Sequence, residues 1–476
     1  MMKQKIIRGL SASTLQLIIN QLLGFVIFYI LSRSLSKNNF GELNWTLAVL
    51  LTAFSLLSFG IDQMLVKKIA AGDNPSSLLS LFIIHTIISG FLFYGLIFLA
   101  SIIFPGFFIS HHLLLFIGIG KLLIFFSTPF KQLAAGLQQF NLLLIMSVGS
   151  NVLRGSALLF FSVSGDISMQ QVVIIFICGD AIELIISFLV GKKMINAEKF
   201  LKWNKQHYLS LLKESLPQVG VVIFTSAIAR FDWIFIGLFV SDVKLAEYSF
   251  AYKIFEIATF PLLAIAPLLV PLFTIFFQQK KEENPASVRN LQFLLRMEMV
   301  IASLTALLLN LFWIPIIDPL TDGKYGGVNI HTVFILSLSI PALYLNNFLW
   351  SINFALGKLK MIFFIFAVTF SINILGDLTL IPFLKNEGAA IAFIAAIFIQ
   401  SFLYIKKTAL PWLKRSISSL VICFGCALVS GFIIRYIFLS GWLIIGFAVI
   451  VYFLLLAATL QLRWGDIKEI NRFFKK

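Results

Sequence analysis

Four cations, Lys121, Arg154, Arg230 and Lys253, stand inside or beside stretches apolar enough to cross a bilayer, and four acids, Asp180, Glu183, Asp232 and Glu256, stand in or beside the same kind of stretch. An ionised side chain at bilayer depth costs at least about 2.5 kcal/mol, so it faces a partner or a water-filled cavity rather than lipid. Two readings of the cations follow. Together they could line a cavity for an anionic group, where an Arg grips a phosphate through two parallel donors and a Lys acts as a point charge. Alternatively, each neutralises a buried acid.

Spacing sharpens both readings. Asp180, Glu183 and Ser187 fall on one helical face, as do Ser147, Asn151 and Arg154, so Arg154 can pair with Asp180 or Glu183. Lys253 and Glu256 are three apart and can satisfy each other. Arg230 and Asp232 are two apart and point to different faces. Arg230 is therefore the strongest candidate to meet a ligand, followed by Lys121, whose own span holds no acid. The polar stripes Ser13, Gln16, Asn20 and Thr369, Asn373, Asp377 read as glue between helices.

These residues are positioned by membrane helices. The 476 residues are 59% hydrophobic and 12% charged, with 52 Phe, far beyond a soluble domain of this length. At about 20 residues per crossing, about fourteen spans fit between Leu10 and Leu460. The net charge of +16 reads as topology rather than nucleic-acid binding, because cytoplasmic loops collect Lys and Arg. With both termini in the cytoplasm, most of the basic loop residues fall inside. Three cysteines in apolar runs, Cys178, Cys423 and Cys426, imply neither a disulfide framework nor a metal site.

Ser36–Leu43 and Ser241–Tyr248 resemble each other: each is a polar loop ending in a small residue, a Glu and an apolar residue that open the next helix. The echo divides the chain into a six-helix lobe over 1–191, a basic cytoplasmic linker over 192–215, a second six-helix lobe over 216–406, and two extra helices with a basic tail over 407–476. An even number of spans per repeat makes the lobes parallel. Prolines at 261, 267, 271 and 341 bend their helices, which suits a moving bundle. Nucleotide-binding, zinc-protease and serine-hydrolase signatures are missing from the sequence, so no enzyme activity and no cofactor are expected.

The opening, Gly9 to Ala70, with Leu31-Ser32-Arg33, Phe40-Gly41 and Gly60 before a basic end, resembles the polysaccharide (O-antigen, Wzx-type) flippases of the multidrug/oligosaccharidyl-lipid/polysaccharide exporter superfamily. Ala229 to Glu256, with Arg230-x-Asp232 and Tyr248-x-x-Ala251-x-Lys253, is similar to the second-half counterpart. The resemblance implies an all-α, V-shaped, two-lobed bundle in the bacterial cytoplasmic membrane that flips an undecaprenyl-diphosphate-linked oligosaccharide. It also implies H+ or Na+ as a coupling ion, and a glycan polymerase and chain-length regulator as partners. Cation-coupled multidrug exporters and lipid II flippases of the superfamily are the rivals; an excess of cations near mid-membrane favours an anionic lipid over a drug.

Overall fold

Local signals start the helices where polar residues interrupt the apolar runs. Ser36 accepts the Asn39 N–H at 3.2 Å, Asn74 precedes Pro75 and accepts from Ser76 and Ser77, and Ser168 and Gln171 form a reciprocal capping box; each satisfies donors that a helix start leaves orphaned. In this computed structural model the described residues are 2–165, 167–195, 203–279, 284–408, 410–435, 442–463 and 466. Part of the basic linker and most of the C-terminal tail, like the side chains of Ser13 and Gln16, lie outside what is described.

The helices in chain order are α1 (Met2–Ser34), α2 (Lys37–Leu57), α3 (Ile61–Ala70), α4 (Pro75–Ile103), α5 (Pro105–Ser110), α6 (Leu113–Gly136), α7 (Phe140–Ser164), α8 (Met169–Met194) and α9 (Lys205–Phe239). They continue with α10 (Asp242–Ala258), α11 (Phe260–Gln278), α12 (Pro285–Leu320), α13 (Ile330–Ser337), α14 (Ile340–Ala355), α15 (Leu359–Lys407), α16 (Pro411–Arg435) and α17 (Trp442–Ala458). No strand occurs among the described residues.

Among the described residues, eight helical stretches are long and apolar enough to cross a membrane, and four shorter apolar helices accompany them. The expected fourteen is not reproduced as a count of helices, and α15 shows one reason. Its 49 residues would run to about 73 Å if straight, more than twice a hydrocarbon core. It is not straight: Lys385 has φ 52°, a Cβ on Gly388 would lie 2.5 Å from the Leu380 carbonyl oxygen, and one on Gly376 would lie 2.8 Å from the Ala392 Cβ. The chain therefore doubles back, and small residues let the two arms touch.

Residues Met1–Ala246 form one compact unit and Glu247–Lys476 another. The sequence sets the division at 192–215, whereas the packing sets it after Ala246. The reason is α9, which lies against α2 and α3; Trp45 of α2 donates to the Ile234 carbonyl of α9 at 3.2 Å. Residues 205–215, expected as a linker, are the first turns of α9. They are tied down by Leu211, which is buried with Ile61, Leu65 and Leu133, and by Glu214, which meets Lys68 at 2.8 Å. The Lys68 hydrogen bond holds the Glu214 carboxyl below its usual range. That pair adds stability above the ordinary carboxylate pKa and loses it as pH falls through the lowered one, by a small amount because both groups are wet.

Within the first unit α6 is central, packing on α8, α4, α3 and α2, while α7 lies between α1 and α8. In the second, α12 packs on α16, α14, α13 and α17, and α15 covers α13 and α14. Ile88, Leu92, Leu96 and Leu99, one face of α4, are exposed, a stripe that lipid solvates and water does not. The orientation expected from the sequence can be tested. In a cysteine-free background, Asp73→Cys and Val328→Cys, both at exposed positions, should react with an impermeant thiol reagent from opposite sides, Val328→Cys from outside intact cells. Labelling of both from one side contradicts the topology expected from the sequence.

Candidate functional site

Three helices of the first unit bring buried charge together. Lys121 of α6 donates to Asp180 Oδ2 of α8 at 2.9 Å, and its ammonium sits 5.5 Å from the centre of the Phe176 ring. Arg154 of α7 pairs with Asp180 Oδ1, reaches Glu183 Oε2 at 3.1 Å, and donates to Asn151 Oδ1 at 2.9 Å. Glu183 also accepts from Lys131 of α6 at 2.7 Å and from Ser150 of α7. Asn20 of α1 joins the edge of this network, donating to Ser147 at 3.0 Å and accepting from Asn151 at 3.3 Å.

The sequence makes this approach possible with two glycines. A Cβ on Gly120 would lie 2.5 Å from Asp180 Oδ2, and one on Gly179 would run into the Arg154 side chain. Without side chains there, α6 and α7 come close enough to α8 for direct ion pairs. Asp180 is fully buried, and Lys121, Arg154 and Glu183 are less than a tenth exposed. Three cations face two carboxylates, so the cluster carries one positive charge in excess. Arg154 Nε has no acceptor among the described residues. Desolvating these ions is expensive, and mutual pairing repays it only with good geometry; the network stays intact because every carboxylate meets two cations.

The structure thus brings together Lys121, Arg154, Asp180 and Glu183. In this conformation Lys121 and Arg154 follow the second sequence reading, each held by an acid. The partner of Lys121 comes from α8, which spacing along its own helix does not reveal. Lys131 and Ser150 were missed: Lys131 lies just beyond the expected end of its span, and Ser150 is an ordinary small residue in an apolar run. Ser150 does lie on the Ser147–Asn151–Arg154 side of α7, and that was the available signal.

The remaining candidates lie elsewhere. Arg230 of α9 stacks over Trp233 at 4.4 Å and is half-buried. Asp232 is buried and accepts the Trp233 backbone N–H at 2.8 Å. Lys253 of α10, in the second unit, meets Glu256 at 2.7 Å. On α15, Asn373 donates to Asp377 at 3.3 Å. No group of three or more metal-ligating side chains occurs among the described residues.

Comparisons with known proteins bear on this architecture. The lipid II flippase MurJ in an inward closed conformation is 14% identical, with 94% of this chain and 98% of that one covered at a TM-score of 0.72. An inward-facing multidrug resistance MATE family transporter of the MOP superfamily is 12% identical, covering 85% of this chain and 98% of its own, at 0.63. A MOP superfamily transporter from Pyrococcus furiosus, described as having a binding pocket of reversed polarity, is 12% identical, covering 88% and 96%, at 0.57. Identities this low establish the fold, that of the MOP transporters, and no more. No curated protein sequence matches the chain. A family model described as polysaccharide biosynthesis protein matches residues 6–277. With more than half of its length matched, the chain belongs to the polysaccharide biosynthesis protein family.

Proposed function

We propose that the chain is a flippase that moves an undecaprenyl-diphosphate-linked oligosaccharide, such as an O-antigen or another surface-polysaccharide repeat unit, across the bacterial cytoplasmic membrane by alternating access. The observation that carries this reading is the polysaccharide-biosynthesis match over residues 6–277 on a fold shared with a lipid II flippase. Physics requires such a carrier: burying an isolated charge in hydrocarbon costs tens of kcal/mol in the idealised limit, so a diphosphate and its sugars need a polar path while the polyprenyl tail remains in lipid.

The cluster on α6, α7 and α8 favours an anionic cargo over a cationic drug, because it holds one cation more than its acids neutralise. During the cycle Lys121 and Arg154 exchange a carboxylate for a phosphate oxygen, and Arg230 and Lys253 offer further positive charge along the route. Asp180, Glu183, Asp232 and Glu256 hold these cations between cargoes, and H+ or Na+ drives the return. A glycan polymerase and a chain-length regulator take the product outside.

The test is a deletion strain. It should accumulate the lipid-linked glycan on the inner leaflet and regain export when complemented. Arg230→Ala should insert at normal levels yet restore less than a tenth of export. Normal surface glycan in the deletion strain contradicts the reading; full export by Arg230→Ala removes Arg230 from the path.

A further inference from the structure

α12 holds a carboxylate that nothing answers. Glu298 lies between three and four turns from the start of that helix, is 1% exposed, and neither of its oxygens has a hydrogen-bond partner among the described residues. The nearest cation in sequence, Arg296, is engaged elsewhere: it pairs with Asp466 at 2.6 Å and lies over the Phe293 ring. Each buried carboxylate of the first unit's cluster meets two cations; Glu298 meets none among the described residues.

The elements packed on α12 explain its surroundings. From α14, Tyr344 is the titratable group within electrostatic reach of Glu298, and its buried hydroxyl faces the Thr305 side chain and the Leu262 backbone. Cys423 and Cys426 of α16 and Tyr452 of α17 gather at the neighbouring turn, where Tyr452 donates to the Val300 carbonyl at 2.9 Å. His331 of α13 is exposed. None of these is a cation aimed at Glu298.

The position also coincides with two interrupted helices. Tyr344 sits in the opening turns of α14, just after the break that separates it from α13, and lies close to the backbone of Leu262, just after the break at Thr259 between α10 and α11. Such breaks free backbone carbonyls and are where helices bend. A protonated carboxyl is a hydrogen-bond donor that a phenol oxygen or a freed carbonyl accepts, whereas an ionised one in this apolar, cation-free place has nothing to hold its charge.

We propose that Glu298 is a proton-binding site of the second unit: its carboxyl holds a proton while α12, α14 and the joint between α10 and α11 are packed as here, and releases it to water when that packing opens. The ligand is the proton alone, exchanged between one carboxylate oxygen and water. Binding at Glu298 needs no cargo; only the opening that triggers release rests on the flippase reading.

The experiment uses the full chain reconstituted in liposomes, with difference infrared spectroscopy of the carboxyl C=O stretch as the solution is taken from acidic to alkaline. The wild type should retain at neutral pH a protonated-carboxyl band that Glu298→Gln lacks, while Glu298→Gln, which mimics the neutral acid, unfolds at the same temperature. Identical carboxyl bands in the two proteins overturn the proposal, as does a large loss of thermal stability in Glu298→Gln. In complemented cells, export by the wild type should vary with external pH and export by Glu298→Gln should not; an equal pH response in both overturns release on opening. A band that vanishes in Glu298→Gln, found in a protein whose deletion leaves surface glycan normal, upholds the proton site and rejects the flippase.

Discussion

Asp180→Ala is expected to destabilise the protein by about 3–5 kcal/mol, the usual cost of leaving a buried charge without its partner, and to abolish export. The carboxylate lost is the one that Lys121 and Arg154 share. Its removal leaves two cations facing each other at a site with almost no access to water, with Glu183 as the only acid among the four charged members of the cluster that remain. A fall in the apparent unfolding temperature in detergent measures the effect, and a change of less than about 1 kcal/mol, the value of an exposed pair, would contradict the burial. The double variant Lys121→Met, Asp180→Asn separates structure from transport. It removes one charge of each sign and should recover most of the lost stability. If Lys121 meets the diphosphate, export stays low in this stable protein; restored export assigns Lys121 a purely structural role.

Gly120→Ala is the second large effect. By helix propensity the change favours folding by up to about 1 kcal/mol. Here the new methyl would sit 2.5 Å from Asp180 Oδ2, against a carboxylate that two cations hold in place, so overpacking at about 1–3 kcal/mol prevails. Gly95→Ala, on α4 with nothing within 4 Å of its Cβ, is the matched control: it should keep export and lose no stability, gaining at most the propensity term of about 1 kcal/mol. Equal unfolding temperatures for the two variants would show that α6 and α8 are free to separate. Such freedom would weaken the case that the ion pairs govern the spacing of these helices.

Much of the architecture was legible because a bilayer imposes a simple rule. Backbone polar groups must be satisfied inside each segment, so long apolar runs can only be helices. Ser36, Asn74 and Ser168 cap the starts of three of them in the structure. The rule says nothing about which helices adjoin, and there the sequence reading stopped short. α9 begins twelve residues before the expected span and belongs with α2 and α3, because Leu211 and Glu214 find partners on segments more than a hundred residues away. Glu298 was passed over as well: whether an acid in an apolar run finds a counter-charge depends on neighbouring helices, and only the structure shows the nearby Arg296 facing Asp466.

The amino-acid sequence alone established a helical membrane protein, the residues whose charge inside apolar runs needs an explanation, and the face of α8 on which Asp180 and Glu183 stand together. Periodicity and hydropathy are properties of one segment, and one segment suffices to read them. Tertiary structure alone decided that Lys121 and Arg154 share Asp180, that Lys131 completes the cluster, and that Glu298 has no counter-charge among the described residues. Ion pairing depends on distances of a few ångströms between helices, and those distances are set by small residues such as Gly120 and Gly179, whose meaning appears only once a neighbour is in place.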